Sequence, residues 1–235
     1  MLRSRPTNKD FTALPLTECL AKTYRDPHGA TAAGRTVLDH ALITGAVAAL
    51  LLERLPKCTL PFYPEGADRI VSAHDVGKVC PTFQHKIHQA AGSLSSFPEL
   101  KDSDPSLEQD WGGHAAISYS ALKAVQGDPF IPQIVGRHHG VPPKKNYPAS
   151  CTNYGGEAWQ KRREELLALI VGERGWPEIS SKTQALLLMG LTTVADWIGS
   201  GGTVRRAAKG LGSACAEGCR PRGFPSPLPA NGAFF

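Results

Sequence analysis

Apolar residues recur at helical spacing along most of the chain. The stretch "GRTVLDHALITGAVAALLLERLP" (34–56) carries them on a helical repeat and stops at Pro56. "GADRIVSAHDVGKV" (66–79) predicts a short helix ending near Gly77. "PTFQHKIHQAAG" (81–92) opens on a proline suited to a first turn and closes on a glycine suited to a C-terminal cap. A polar loop follows over 93–113. Helix is expected again at 114–127 and 131–140, before a proline-rich loop that carries Lys144 and Lys145. The stretch 156–174 is amphipathic, with its charge mainly in the first half. The stretch 180–200 is apolar almost all round, which predicts a buried helix. No run alternates with the period of a strand. The expected fold class is therefore all-α, a helical bundle with long loops. Residues 1–209 form the expected domain, and the proline- and glycine-rich 210–235 form a tail or the start of a linker.

Seven polar residues interrupt these apolar segments: His40, His74, Asp75, His114, His138, His139 and Asp196. Singly, each has an ordinary reading, a core histidine with a partner or a capping carboxylate. Together they would leave too many buried polar groups unless they share a partner. Imidazole and carboxylate suit a divalent ion; Mn, Ni, Co or Fe are favoured, with Mg or Zn also compatible. Seven ligands exceed what one ion with open positions takes. They suit two ions bridged by a carboxylate, and Asp75, beside His74 and with two oxygens to offer, is the natural bridge. Such a pair holds both oxygens of an in-line phosphoryl displacement and lowers the pKa of a water, so no side-chain nucleophile is required.

Composition narrows the classes further. With 41% hydrophobic and 20% charged residues in 235, the chain can bury one sizeable core. A net charge of +5 permits a polyanionic partner without demanding one. The six cysteines are irregularly spaced and read as reduced thiols. Cys215 and Cys219 form a lone C-x3-C pair, a weak zinc signal. The N-terminus has no apolar signal region, and the longest apolar stretch is too short to cross a bilayer, so a cytoplasmic protein without membrane attachment is expected. No glycine-rich phosphate loop and no Ser-His-Asp or Cys-His signature is visible.

The sequence "HDVGK" (74–78) resembles the HD metal-dependent phosphohydrolase superfamily. His40, "HDVGKVCPTFQHK", His114, "RHHG" (137–140) and "ADWIGS" (195–200), in that order, are similar to the HD nuclease domain of the CRISPR type I helicase-nuclease. The resemblance runs from about residue 25 to 200. It implies an HD-type helical bundle and a metal-dependent nuclease acting on single-stranded DNA in antiviral defence. His40, His74, Asp75 and Asp196 would hold one ion, and Asp75, His114, His138 and His139 the second. Asp75 and Lys78 would be catalytic, Lys78 by neutralising the scissile phosphate. Ser200 resembles a serine near the family's site. Arg137, Lys144 and Lys145 are expected to track the substrate backbone. The expected partners are single-stranded DNA, a helicase domain or subunit, and the type I effector complex. The family's helicase motifs are not in this sequence, which fits either a separate nuclease subunit or, preferentially, a piece of a longer chain.

Two rival readings are an HD phosphohydrolase of small nucleotides or cyclic dinucleotides, and a non-catalytic docking module for a helicase or effector complex. His85 and His88, three apart on one helix, read as a solvated face. Lys161, Arg162 and Arg163 read the same way, since Glu164 and Glu165 follow them. Trp197 reads as a packing residue.

Overall fold

The computed structural model describes residues 12–143, 145 and 147–201. Lys144, the tail and the Cys215–Cys219 pair therefore lie outside the described residues. Helices dominate: α1 (Val37–Arg54), α2 (Ala67–Ser72), α3 (Pro81–Ala90), α4 (Gly113–Val125), α5 (Ile131–Gly136), α6 (Gly156–Val171) and α7 (Lys182–Ser200), joined by loops with short 3-10 turns. One small hairpin, β1 (Thr23–Arg25) paired antiparallel with β2 (Thr31–Ala33), precedes α1. Strands of three residues are too short to leave an alternating signature. The class is all-α, as the sequence predicts.

Local chemistry sets the helix starts. The Thr36 hydroxyl accepts the Asp39 backbone N–H at 3.1 Å and caps α1. The Ser181 hydroxyl does the same for α7, taking Gln184 N–H at 3.2 Å. Pro81 opens α3 where no donor is needed. Asp128 accepts the N–H groups of Phe130 and Ile131 at the entry to α5.

The main core is built from α1, α2, α4, α5, α6 and α7. Ile70, Ile131, Ile134, Leu166 and Leu188 are fully buried in it. Each such side chain contributes roughly 1.5–3 kcal/mol by leaving water. A second cluster of Leu20, Cys80, Phe83, Ile87, Ile117 and Tyr154 fixes α3 against α4. None of the described helices is long and apolar enough to cross a membrane.

Four expectations need correction. The 66–79 helix ends earlier than read: α2 stops at Ser72, and Val76–Lys78 form a separate 3-10 turn. Helix α7 is not buried all round, since Leu186, Val194, Trp197 and Ile198 are exposed, Trp197 by 71%. Arg163 is fully buried rather than solvated. His88 is also buried, with Nε2 3.0 Å from the Glu18 carbonyl and Nδ1 2.9 Å from the Ser93 hydroxyl.

Candidate metal centre

The predicted residues come from five segments that end at one place. His40 sits near the start of α1, and His74 and Asp75 in the turn after α2. His114 is the second residue of α4, His138 and His139 follow α5, and Asp196 lies in the last turn of α7. The glycine of "HDVGK" makes this convergence possible. Gly77 N–H donates to the Ser118 hydroxyl at 2.8 Å. A Cβ at Gly77 would overlap the His114 carbonyl oxygen and fall 2.6 Å from Ser118 N. Only glycine lets the Asp75–Lys78 turn lie this close to α4.

Asp75 is at the middle and is 2% exposed. Its Oδ2 lies 3.1 Å from His40 Nε2, 3.3 Å from His74 Nε2 and 2.5 Å from Lys78 Nζ. Its Oδ1 lies 3.4 Å from His114 Nε2 and 3.6 Å from His138 Nε2. Asp196 Oδ1 faces His40 and His74 at 3.2 and 3.6 Å, and accepts the Ser200 hydroxyl at 2.8 Å. His139 Nε2 is 2.9 Å from His114 Nε2. Two groups of donor atoms result, each within 4.8 Å of one another: His40, His74, Asp75 and Asp196, and His114, His138 and His139.

These residues fit metal ions. His74 Nδ1 lies 2.8 Å from the Val71 carbonyl, and His138 Nδ1 2.6 Å from the Val135 carbonyl. A carbonyl only accepts, so both Nδ1 atoms carry a proton and both Nε2 atoms turn inward. The Nε2 atoms of His40, His74 and His138 are buried without an aligned hydrogen-bond partner. Orphaned buried nitrogens facing carboxylates are what a ligand set looks like before the ion is added.

Electrostatics agree. Burial opposes the charged form of Asp75, but His74, Lys78 and the His40 contact outweigh it and hold its carboxyl well below the usual range. Asp196 is likewise lowered against its burial, by His40 and His74. Burial also opposes the His74 cation, yet Asp75 and Asp196 raise that imidazole to about 9, so without an ion Nε2 carries a second proton, which a bound ion would displace. Burial, followed by the neighbouring His74, pushes His138 well down.

The flanking predictions divide. Lys78 lies against Asp75, and its ammonium is also 5.5 Å from the Phe83 ring centre. Arg137 is half-buried, and Lys145 is exposed. A Cβ at Gly112 would lie 3.8 Å from the Lys145 backbone, so Lys145 passes near the start of α4. Two further charged groups lie at the centre. Lys22, just before the short hairpin, brings its ammonium 3.8 Å from Asp196 Oδ1. Glu108, six residues before His114, is 2% exposed and binds Lys86 Nζ at 2.5 Å. Neither lies in a periodic segment, so no spacing rule marks them.

The turn is braced from behind. Gln84, in the "FQHK" segment, donates to the Lys78 carbonyl at 2.8 Å and the Leu20 carbonyl at 3.0 Å, and accepts Leu20 N–H at 2.9 Å. Arg163 donates to the carbonyls of Val79, Tyr154 and Ala149 at 2.7–3.0 Å and to Gln160. Burial lowers its pKa to about 10, so it stays charged at neutral pH.

A family model described as "Cas3, HD domain" matches residues 20–204. The chain belongs to this family. The fold matches solved Cas3 structures from T. fusca. With the ATP-bound form the identity is 23% and the TM-score 0.62, over 87% of this chain and 25% of that one. With the AMPPNP-bound form they are 21% and 0.60, over 85% and 24%. A chain of a CRISPR RNA-guided surveillance complex in a pre-nicking state matches at 22% and 0.57, over 82% and 25%. This chain thus spans about a quarter of the length of those it matches. No curated protein matches it. Membership of the Cas3 HD family gives the His/Asp cluster its class, that of a metal-dependent HD hydrolase of a CRISPR system.

Proposed function

We propose that this chain is a deoxyribonuclease that cuts single-stranded DNA by two-metal phosphodiester hydrolysis, in type I CRISPR interference against invading DNA. The carrying observation is the position of Asp75. One of its oxygens faces His40 and His74, and the other faces His114 and His138. A carboxylate placed between two donor sets supports a bridging role. His40, His74, Asp75 and Asp196 would hold one ion, and Asp75, His114, His138 and His139 the other. Mn, Ni, Co or Fe suits the mixed imidazole and carboxylate set best. Such ions supply Lewis acidity to the phosphate oxygens and lower the pKa of an attacking water.

The protein's own groups do the rest. Asp75, Asp196 and the backbone-tethered histidines hold the donor atoms in place. Lys78 and Lys22 bring two ammonium groups to the edge of the centre, where a phosphate oxygen can replace their carboxylate partners. Ser200 fixes Asp196 by its hydrogen bond. Arg137 and Lys145, with Lys144, would track the strand backbone. A cytoplasmic site of action, with a helicase domain or subunit and the type I effector complex as partners, completes the reading. The solved chains that this one matches support it, since they are Cas3 and a surveillance complex.

The test is cleavage of circular single-stranded DNA by metal-stripped protein, with Mn, Ni, Co, Mg or no metal restored. Metal-dependent cutting that Asp75→Ala abolishes is expected. Bound ions without cutting would turn the assignment to small phosphodiesters. Neither ions nor cutting would leave a docking module.

A further inference from the structure

The inward-facing histidines share a device, and His114 completes it differently. His74 and His138 each give their Nδ1 proton to a backbone carbonyl. His114 also turns Nε2 inward, toward Asp75 Oδ1 and His139. Its Nδ1 faces Glu108 Oε1 at 3.8 Å, about 0.9 Å longer than a usual N–H···O bond. That carboxylate oxygen is buried and has no hydrogen-bond partner. A buried carboxylate oxygen without a donor is costly, and the imidazole N–H is the donor facing it.

The ion pair with Lys86 does not account for the burial. Lys86 is 50% exposed, whereas the Glu108 side chain is only 2% exposed, and the ammonium takes Oε2 alone. A half-exposed pair stabilises little and gives no reason to desolvate the acid. The surroundings instead aim Glu108 at His114. The Glu108 carbonyl accepts Gly113 N–H at 2.9 Å, which closes the turn leading into His114. Phe83 packs edge-on against the His114 ring, with centres 5.7 Å apart, and Lys86 Nζ lies 5.2 Å from the Phe83 ring centre. Phe83 and Glu108 thus fix two sides of one imidazole.

We propose that Glu108 is the positioning residue of His114. It accepts the Nδ1 proton, fixes the tautomer with Nε2 free, and so strengthens the ion site of His114, His138 and His139 selectively. This rests on the reading above that this group holds an ion. Outer carboxylates of this kind change metal affinity by roughly 10–100-fold. Neutral replacement therefore weakens one site and spares the other.

The experiment is titration of metal-stripped protein with Mn²⁺, comparing Glu108 with Glu108→Gln. An Asp196→Ala background isolates the His114 group, and a His139→Ala background isolates the other. A tenfold or greater loss in the first, with less than a twofold change in the second, is expected. Unchanged affinity in the first, or equal loss in both, overturns the proposal. The second readout needs no metal. Imidazole ¹⁵N shifts should show His114 with its proton on Nδ1, and Glu108→Met, which has no acceptor oxygen, should lose that tautomer. A His114 tautomer indifferent to both substitutions also overturns it. If the unsubstituted chain binds no ion at the His114 group, the metal reading fails, and the tautomer alone decides the role of Glu108.

Discussion

A single side chain carries the most chemistry here. Asp75 faces two donor sets and Lys78 at once, although it is 2% exposed. Lys78 is separable from ion holding, because its ammonium contributes charge but no lone pair. Lys78→Met should lower DNA cleavage by about 10²-fold, the scale of one lost electrostatic donor, with the ion count unchanged. Single-turnover rates and ion titration on the same sample check this; loss of ions in the variant would make Lys78 a structural residue. The predicted ligands were legible because each lies within or at the end of an apolar helical run, where a polar group is costly without a partner. Glu108 and Lys22 were not, because they lie in the polar loop and just before the short hairpin, where charge is unremarkable in sequence.

At the scale of elements, the same patterns misled where burial and polarity coincide. Arg163 sits among Lys161, Arg162, Glu164 and Glu165, and charge runs usually mark a solvated face. Only the fold reveals that its guanidinium gathers three backbone carbonyls. Arg163→Met leaves those carbonyls unpaired and should cost about 3 kcal/mol or more in urea unfolding. Arg163→Lys should recover little, since an ammonium cannot span the planar fork. His88 gives α3 a pH-dependent tether. Its Nε2–H donates to Glu18 O, and burial lowers its pKa below the ordinary 6.5. A lowered folded-state pKa makes its contribution present above about 6.5 and lost as pH falls below it. Unfolding at pH 7.5 and 5.5 should show a greater stability loss in the unsubstituted chain than in His88→Gln. Equal losses would place the titration elsewhere.

For the whole molecule, helix content and order were readable from spacing and caps, and the order of the motifs pointed to the family. What spacing cannot read is which apolar face meets a neighbour. Helix α7 looks buried in sequence because it is apolar almost all round, yet Leu186, Val194, Trp197 and Ile198 face outward. Leu186→Glu should accordingly change stability by no more than about 0.5 kcal/mol, whereas Leu188→Ala, two residues on at the opposite face and fully buried, should cost about 2–5 kcal/mol. Similar losses for the two would contradict the orientation of α7. That helix delivers Asp196 to the centre, so its placement and the metal groups stand together.

If Asp75 joins two donor sets into one dinuclear centre, the ion count per chain must depend on it. The most direct measurement is the number of Mn²⁺ ions bound per chain at saturation, by equilibrium dialysis of correctly folded variants. Two ions are expected for the unsubstituted chain, one for Asp196→Ala, one for His139→Ala, and none for Asp75→Ala. A single ion in the unsubstituted chain, or two retained without Asp75, would contradict it.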